Sequence, residues 1–362
     1  MAQALAIKYR PKNWSDVTEQ GAVRTILQNQ IETNTIKHAY LFTGPAGCGK
    51  TTAARIFANE INHGEGQPIE LDAASNNSVD DIRRITEQAQ TKSLDSEYKV
   101  FILDEVHSLS NQAWQAFLKT LEEPPATSIF IMCTTNPEKI PATILSRAQR
   151  YNFQKISTEG IVKRLEYICD TETYDIMQEY GDMDSASDIE WAREQHLPII
   201  EYDMSALEYI AKLAEGGMRD AITLLDKCLS YSSELTVENV VKALGVADYS
   251  IMLSLNQAFF DKDVAKIIEI VNEVYSSGLD MKQFIRTYFE FILDCEVLAV
   301  TGETTAVKIP ENVIVELRKY ENYEWSVITE LLTMLVDLQS SIKYEHNPKA
   351  TIIANFILSV RG

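Results

Sequence analysis

The stretch Gly44–Thr51, GPAGCGKT, follows the apolar run AYLFT and precedes the helical run TTAARIFANEI. A glycine, four residues and then Gly-Lys-Thr is the spacing of a phosphate-binding loop, whose backbone N–H groups surround an anion. The lysine reaches the β- and γ-phosphates of ATP, and the threonine hydroxyl binds Mg²⁺. The residues that this pattern predicts to bind ATP are Gly44, Pro45, Ala46, Gly47, Cys48, Gly49, Lys50, Thr51 and Thr52.

A pair of acidic residues closes a later apolar run, FILDEVH. Asp104 and Glu105 at the carboxyl end of a strand form a Walker B arrangement, in which Asp104 holds Mg²⁺ through water and Glu105 polarises the attacking water. Acidic pairs at strand ends are common, but this one follows a phosphate-binding loop. The two motifs together predict hydrolysis of ATP and not only its binding.

Two further polar positions gain meaning from this context. The next strand run ends in CTTN, which puts Thr135 or its neighbours Thr134 and Asn136 between the metal site and the γ-phosphate. Arg147 lies on a turn before the last strand run, in ILSRAQRYNF. An arginine on a turn is most often a solvated surface residue, so its position alone assigns it no role.

The elements that would position these residues alternate along the first part of the chain. Between Tyr40 and about Gln154, short β-rich runs alternate with helical runs, which predicts a parallel sheet with helices on both faces. The strand runs are apolar throughout, as expected of strands buried on both faces. After Ile156 the pattern is helical almost to the end, so a change of domain near residue 155 is expected, with a second boundary near Leu244-Gly245.

Composition limits the classes of protein that this chain can represent. The 362 residues carry a net charge of −20, which argues against attraction of the whole surface to DNA or to anionic membranes. We expect neither a membrane span nor a secretory signal, because no apolar run is long enough and the N-terminus lacks an apolar signal segment. The five cysteines include no CxxC pair, so no zinc is expected and a cytoplasmic protein is the simplest interpretation.

One segment differs in composition from the rest. Residues 170–203 contain eleven acidic residues and one arginine, with little sustained periodicity. We interpret this segment as a solvated acidic insertion within the second domain. A docking site for a basic partner is the alternative interpretation.

Six segments in a fixed order resemble one family. They are KYRPKNWSDV, HAYLFTGPAGCGKTT, ELDAASNNSVDDIR, VFILDEVHSLSNQAWQAFLKTLEEPP, TTNPEKIPATILSR and EGGMRDAITLLDK. Together they resemble the gamma/tau subunits of the bacterial DNA polymerase III clamp loader, which are AAA+ ATPases. The resemblance is dense from about residue 5 to 155, resumes near 205–245 and then fades. It implies a five-stranded AAA+ domain over 1–155, a helical lid domain over 156–244 and a helical collar domain over 245–362.

The resemblance also implies roles for individual residues. Thr135 would be the first sensor of the γ-phosphate, and Arg219 the second sensor on the lid. Arg147 matches the arginine that reaches the γ-phosphate bound by a neighbouring subunit. The N-terminal residues expected to pack against the adenine are Tyr9, Arg10 and Pro11. The residues expected near the phosphates of duplex DNA are Asn76, Asn77, Ser78 and Lys119.

The sequence departs from the family pattern at several places. The family has a cysteine-rich zinc module between the phosphate-loop helix and the ELDAAS strand, where this chain has only EINHGEGQPI. Its Ser-Arg-Cys motif is Ser146-Arg147-Ala148 here, which keeps the arginine. With the acidic insertion and an end at Gly362, these departures are those expected of a divergent or phage-encoded short form.

The function that the resemblance implies is ATP-driven loading of a ring-shaped sliding clamp onto primer-template DNA. The implied partners are the other clamp-loader subunits in a pentameric assembly, the clamp, and DNA held through its backbone. Two alternatives remain at this stage. One is an AAA+ DNA motor of the helicase or branch-migration type, and the other is a non-hydrolysing structural subunit of a clamp loader.

Overall fold

The computed structural model describes residues 3–180, 197, 199–244, 249–304, 307, 309, 311–318, 325–343 and 345–361. The chain divides by its internal packing into two units. The first comprises Met1–Ile168 with Ala214–Asp226, and the second comprises Cys169–Leu213 with Lys227–Gly362. The boundary expected at Leu244-Gly245 adjoins residues 245–248, which lie outside the described residues, as do 181–196 and 198 of the acidic segment.

A five-stranded parallel sheet is the centre of the first unit, and it confirms the predicted α/β class. The strands are β1 (Ala39–Thr43), β2 (Ile69–Asp72), β3 (Lys99–Asp104), β4 (Ser128–Thr134) and β5 (Gln149–Asn152). Their spatial order is β2-β3-β4-β1-β5, so the ends of β1 and β3 lie on either side of the end of β4. Because the strands are parallel, the loops that follow β1, β3 and β4 lie side by side at the carboxyl end of the sheet.

Burial along the strands follows their position in the sheet. Every residue of the inner strands β1 and β4 is buried, as their apolar sequences predict. The edge strands β2 and β5 alternate between more buried and more exposed residues, so the prediction that all five strands are buried on both faces was wrong for the edges. The reason is that an edge strand has a neighbour on one side only.

Helices cover both faces of this sheet. They are α1 (Leu5–Lys8), α2 (Gly21–Glu32), α3 (Lys50–Ile61), α4 (Val79–Ala89), α5 (Asn111–Glu122) and α6 (Ala142–Leu145). One core places Tyr40 and Phe42 of β1 against α2 and α3. The other core places Leu41 and Phe130 against α4 and α5. Successive residues of one strand therefore enter opposite cores, as the pleat requires.

The division between the two units falls within two helices of the chain. They are α7 (Thr158–Tyr180) and, later in the chain, α9 (Met218–Tyr231), with α8 (Met204–Leu213) between them. Because α7 extends to Tyr180, the first eleven residues of the acidic segment are helical, where we expected little periodic structure. Met177 is buried against Ile199, so this part of the segment has an apolar contact of its own.

The second unit is mainly helical, as predicted. Its remaining helices are α10 (Val237–Leu244), α11 (Tyr249–Phe260), α12 (Val264–Ser276), α13 (Met281–Thr301), α14 (Glu311–Arg318), α15 (Trp325–Ile342) and α16 (Pro348–Arg361). One apolar core contains buried residues from all six helices from α11 through α16. Its buried Asn256 is satisfied by the Tyr288 hydroxyl, which donates a hydrogen bond of 2.6 Å. A parallel pair of two-residue strands, β6 (Glu201–Tyr202) and β7 (Glu234–Leu235), was not predicted.

Candidate active site

The loop between β1 and α3 has a backbone that only glycine can follow at two points. Gly44 has φ +150°, and a Cβ atom there would lie 2.4 Å from the carbonyl oxygen of Phe153. Gly47 has φ +71°, and its Cβ would lie 2.9 Å from Cα of Gly217. Gly44 and Gly47, two of the three glycines of the predicted phosphate loop, are therefore required by the close approach of neighbouring backbone.

The side chain of Lys50 is turned into this loop. Its Nζ donates to the carbonyl oxygens of Gly44 at 2.9 Å and Pro45 at 2.6 Å, and the residue is only 6% exposed. A buried ammonium group needs such acceptors, because desolvation without partners is costly. These carbonyl contacts hold the cation where it would meet phosphate oxygens bound in the loop.

The predicted magnesium ligands lie in direct contact. The hydroxyl of Thr51, in the first turn of α3, donates to Oδ2 of Asp104 at 2.7 Å. The other carboxylate oxygen of Asp104 accepts from the backbone N–H of Glu105 at 3.0 Å. A hydroxyl and a carboxylate placed together provide the hard oxygen ligands that Mg²⁺ prefers.

Glu105 follows the end of β3 in a left-handed backbone conformation, with φ +47° and ψ +43°. Its Oε2 accepts from the hydroxyl of Thr135 at 3.0 Å and from the backbone N–H of Thr135 at 3.4 Å. The structure thus brings the predicted hydrolytic carboxylate and the predicted first sensor together. A non-glycine residue in this region of φ and ψ is strained, and such strain is concentrated at functional sites.

A cleft of about 350 Å³ opens beside the loop, and it gathers most of the predicted site residues. Those that line it are Tyr9, Arg10, Pro11, Ala46, Gly47, Cys48, Gly49, Lys50, Thr51, Thr52, Asp104, Glu105 and Arg219. Further lining residues that are apolar or aliphatic, and that sequence reasoning missed, are Ala6, Val17, Ile156, Met218 and Ile222.

Contacts within the first unit close the cleft on two sides. The N-terminal segment is fastened by the Leu5 backbone N–H, which donates to Asp226, and by Arg164, which donates to the carbonyl oxygen of Tyr9. At the start of α9, the N–H of Met218 donates to the carbonyl oxygen of Gly47 at 3.0 Å. This contact places the following residue, Arg219, beside the phosphate loop.

Four basic residues line the cleft together with four acidic ones; they are Arg10, Lys50, Arg164 and Arg219, and Asp16, Asp104, Glu105 and Asp220. Burial lowers the pKa of the Arg10 guanidinium, and the charges of Arg55 and Arg219 lower it further. A lowered pKa means that the protonated form is destabilised by desolvation and by like charges. An anion in the cleft would relieve both effects, as would be expected of a site for a triphosphate.

Arg147 is not among the described residues that line the cleft. Its guanidinium donates to the carboxylate of Glu122 at 2.7 Å and to the carbonyl oxygen of Thr143 at 2.7 Å. Glu122 ends α5 and Arg147 follows α6, so the ion pair links two helix ends before β5. The described contacts of Arg147 are therefore with residues of α5 and α6 and with Ser146, and not with the phosphate loop of its own chain.

The residues expected to contact DNA lie just before the first residue of α4 and along α5. Ser78 caps α4 in a reciprocal pair with Asp81, and Asn76 donates from its side chain to the carbonyl oxygen of Asp72. The carbonyl oxygen of Asn77 accepts from the N–H of Ser110, just before α5. Lys119 is exposed on α5. It lies eight residues after Asn111, the first residue of this helix, which is about 12 Å along the helix axis at 1.5 Å per residue.

Within the described ranges, no cluster of three or more His, Cys, Asp or Glu side chains could hold a metal ion. Among the described helices, none combines the length and the apolar character that crossing a membrane requires.

Comparison with known proteins places this site in a family. Three family models match in order along the chain. "DNA polymerase III, delta subunit" matches residues 19–77 and 61–157, the "DNA polymerase III clamp loader subunit, ATPase lid domain" matches 198–234, and "DNA polymerase III subunits gamma and tau domain III" matches 235–353. The gamma subunit of DNA polymerase III from Buchnera aphidicola is 30% identical over 312 residues, which cover 80% of this chain and 79% of that protein.

The chain belongs to the DNA polymerase III gamma/tau family. The tau subunit of Bacillus subtilis is also similar, with 35% identity over 96% of this chain and 61% of that protein. This gamma/tau family member spans about half the length of several curated relatives that it matches.

Solved structures of the RuvB Holliday junction branch migration motor from Thermotoga maritima are 18% identical to this gamma/tau family member. The match covers 75% of this chain and 86% of the RuvB chain, with a TM-score of 0.49. A TM-score and an identity at this level carry no inference about function.

The polar residues Asp16, Thr18, Arg164 and Asp220 also line the cleft and were missed from the sequence, as were two residues that contact predicted site residues. Glu122 lies in FLKTLEEPP and pairs with Arg147, and His107 lies in DEVH and contacts Glu105. Both stand within segments that carried the family resemblance, but no local pattern showed which residue each would contact.

Proposed function

We propose that this chain is an ATPase subunit of a DNA replication clamp loader. In this proposal, ATP binding and hydrolysis open a ring-shaped sliding clamp and release it, closed, on primer-template DNA. The observation that carries the proposal is the assembled hydrolytic set, in which Thr51 contacts Asp104 and Thr135 contacts Glu105. A subunit that only binds nucleotide would not need the second of these pairs.

The residues present fit ATP with Mg²⁺. Lys50 would bind the β- and γ-phosphates, Thr51 and Asp104 would hold Mg²⁺, and the backbone of the glycine loop would surround the phosphates. Arg10 and Arg219 would add charge, and the apolar lining near Tyr9 and Pro11 would receive the adenine. The bound Mg²⁺ would neutralise charge on the phosphates. Glu105 would then orient and polarise the attacking water, with Thr135 holding its carboxylate.

Arg147 would complete the site of a neighbouring subunit. The side chain lies at the edge of the sheet domain, away from the cleft of its own chain, and its partner Glu122 is on the surface. A head-to-tail arrangement of subunits would bring such an arginine to the next nucleotide. We therefore propose that hydrolysis occurs at interfaces between subunits of a pentameric assembly.

DNA would be held without sequence readout. Asn76, Asn77, Ser78 and Lys119 are the proposed contacts, all of them polar or cationic groups suited to phosphate oxygens. Such local contacts are compatible with the net charge of −20 on the whole chain. The clamp and the other clamp-loader subunits are the proposed protein partners, and the bacterial cytoplasm is the proposed location.

The proposed division of labour follows three parts of the chain. Residues 1–155 would bind and hydrolyse ATP, 156–244 would form a lid carrying Arg219, and 245–362 would form a collar that joins subunits. The matches to an ATPase lid domain at 198–234 and to domain III at 235–353 support this division.

The test is the ATPase rate of a reconstituted loader with and without its sliding clamp and primer-template DNA. We expect turnover that rises when both are present. Turnover stimulated by DNA alone, with strand separation or branch migration, would favour a motor instead. An assembly that binds clamp while this chain hydrolyses no ATP would favour a structural subunit.

A further inference from the structure

His107 contacts the carboxylate that the proposed function assigns to water activation. Its Nδ1 lies 3.1 Å from Oε2 of Glu105 and 3.2 Å from the hydroxyl oxygen of Thr134. The ring stands in a short 3₁₀ turn, Val106–Ser108, directly after β3. Val106 of this turn is fully buried, which fixes the turn against the sheet.

The proton on Nδ1 determines whether the contact between His107 and Glu105 is favourable. An ionised carboxylate can only accept, so a nitrogen at 3.1 Å from it must carry a proton if the contact is to be favourable. The Thr134 oxygen beside it already accepts from the backbone N–H of Asn136 at 3.0 Å. A protonated Nδ1 would direct its N–H toward the Glu105 and Thr134 oxygens, whereas an unprotonated Nδ1 would accept from the Thr134 hydroxyl and face the carboxylate with a lone pair.

The described polar contacts of the Glu105 carboxylate all fall on one oxygen. Oε2 accepts from the Thr135 hydroxyl and from the Thr135 backbone N–H, and Nδ1 of His107 lies 3.1 Å from it. Two hydrogen bonds and a close imidazole nitrogen at Oε2 would orient the carboxylate and leave Oε1 to face the reacting water. A base whose orientation is fixed in advance loses less free energy in reaching the transition state.

We propose that His107 is a positioning residue for Glu105, with Nδ1–H as the group that orients the carboxylate. The inference rests on the proposed function, because it takes Glu105 to be the group that activates water. It assigns no contact between His107 and the nucleotide. Its role is to keep Oε2 occupied and Oε1 directed toward the water.

The test uses three substitutions that differ only in where they place a donor. Asparagine puts its amide nitrogen close to the position of Nδ1, glutamine puts its amide near the position of Nε2, and alanine removes both. We expect His107→Ala and His107→Gln to lower kcat about 10- to 100-fold, part of the 10²–10⁴-fold that a positioned base contributes. We expect His107→Asn to stay within about threefold of the wild type, with the KM for ATP unchanged in all three.

Two controls separate this inference from neighbouring possibilities. His346→Ala, at an exposed histidine of the second unit, should leave kcat unchanged. Melting temperatures and binding of a fluorescent ATP analogue show whether each variant is folded and loads nucleotide. If Glu105→Gln keeps full turnover, the proposed role of Glu105 is wrong. If Glu105→Gln is inactive but all three His107 variants equal the wild type, or His107→Asn is as slow as His107→Ala, only the present inference is wrong.

A second measurement needs no turnover and no variant activity. Nitrogen-15 NMR of the nucleotide-free protein, labelled at its five histidines, reports which ring nitrogen carries the proton. The His107 signals are assigned as those missing from His107→Asn. At a pH above the ordinary histidine pKa of about 6.5, we expect a protonated Nδ1 on His107. A protonated Nε2 with a bare Nδ1 would contradict the proposal.

Discussion

The guanidinium of Arg147 lies 2.7 Å from the carboxylate of Glu122, which is 25 residues earlier in the chain. The two side chains are 33% and 45% exposed, so water screens the ion pair. The same guanidinium also donates to Thr143 and Ser146 at the end of α6. Arg147 is therefore directed by local contacts on the surface and is not sequestered in the interior.

The exposure of this pair leads to a prediction about stability. Glu122→Gln should change the free energy of unfolding by less than about 1 kcal/mol, because an exposed ion pair contributes ~0–1 kcal/mol. Urea unfolding measures this, with Glu123→Gln at the exposed neighbouring position as the matched control. A loss of several kcal/mol for Glu122→Gln alone would mean that the pair locks Arg147 in place, which would argue against its transfer to a neighbouring site.

A second prediction separates nucleotide binding from hydrolysis. Lys50→Ala should abolish ATP binding, since it removes the cation enclosed by the phosphate loop. Glu105→Gln should bind ATP and hydrolyse it ~10²–10⁴-fold more slowly, the usual cost of losing a positioned base. Nucleotide titration and single-turnover hydrolysis measure the two effects.

Matched controls for these variants are Lys92→Ala and Glu87→Gln, both at exposed positions. They should retain binding and turnover. Equal ATP binding by Lys50→Ala and Glu105→Gln would contradict the assignment of nucleotide binding to Lys50 and of hydrolysis to Glu105.

A third prediction concerns the cysteines, all five of which are buried. Burial raises the pKa of Cys48, Cys133, Cys228 and Cys295, and that of Cys228 from 9.0 to about 11. Because the thiolate is the reactive form, the native protein should resist alkylation at neutral pH, whereas the unfolded protein should react at every cysteine. Mass spectrometry after iodoacetamide treatment measures the number of labels. Rapid labelling of native Cys48 would contradict the described loop.

The raised pKa of Cys228 makes the stability of the folded chain depend on pH. Well below pH 9.0 the Cys228 thiol is neutral in both the folded and the unfolded chain, so its contribution to stability is fully present. As the pH rises from 9.0 toward about 11, the unfolded thiol ionises while the folded thiol does not. Ionisation favours the unfolded chain, and this contribution to stability is lost over that range.

The parts of the fold that could be predicted are those whose signal is contiguous in the sequence. The phosphate loop, the strand ending in Asp104 and Glu105, and the strand ending in Thr135 each contain their own apolar run and polar terminus. Because parallel strands of one sheet end at one edge, three local patterns were enough to place Thr51, Asp104, Glu105 and Thr135 together.

The parts that could not be predicted depend on contacts between distant segments. The ion pair of Arg147 with Glu122 joins two helix ends, and neither sequence neighbourhood identifies the other. The strands β6 and β7 are two residues each, too short for any periodicity to show. In the acidic segment, the many charged residues left no clear helical periodicity, so the helix that extends to Tyr180 and contains the buried Met177 was not predicted.

The roles proposed for the DNA-contact residues follow from the family resemblance and from no local chemistry. Ser78 and Asp81 form a reciprocal helix cap, which would be found on many helices with no role in binding. That Ser78 at the start of α4 and Lys119 on α5 contact DNA remains a prediction, which binding measurements would test.

The measurement that tests the account most directly is ATP hydrolysis by mixed assemblies of two variants. Arg147→Ala keeps an intact phosphate loop, and Lys50→Ala keeps an intact arginine. An arginine supplied by a neighbouring subunit contributes ~10³–10⁵-fold to hydrolysis, so neither variant should turn over alone in the assembled complex. When the two are mixed, interfaces that pair the intact loop with the intact arginine should recover part of the activity. No recovery at any mixing ratio, in complexes shown to assemble, would contradict a site shared between subunits.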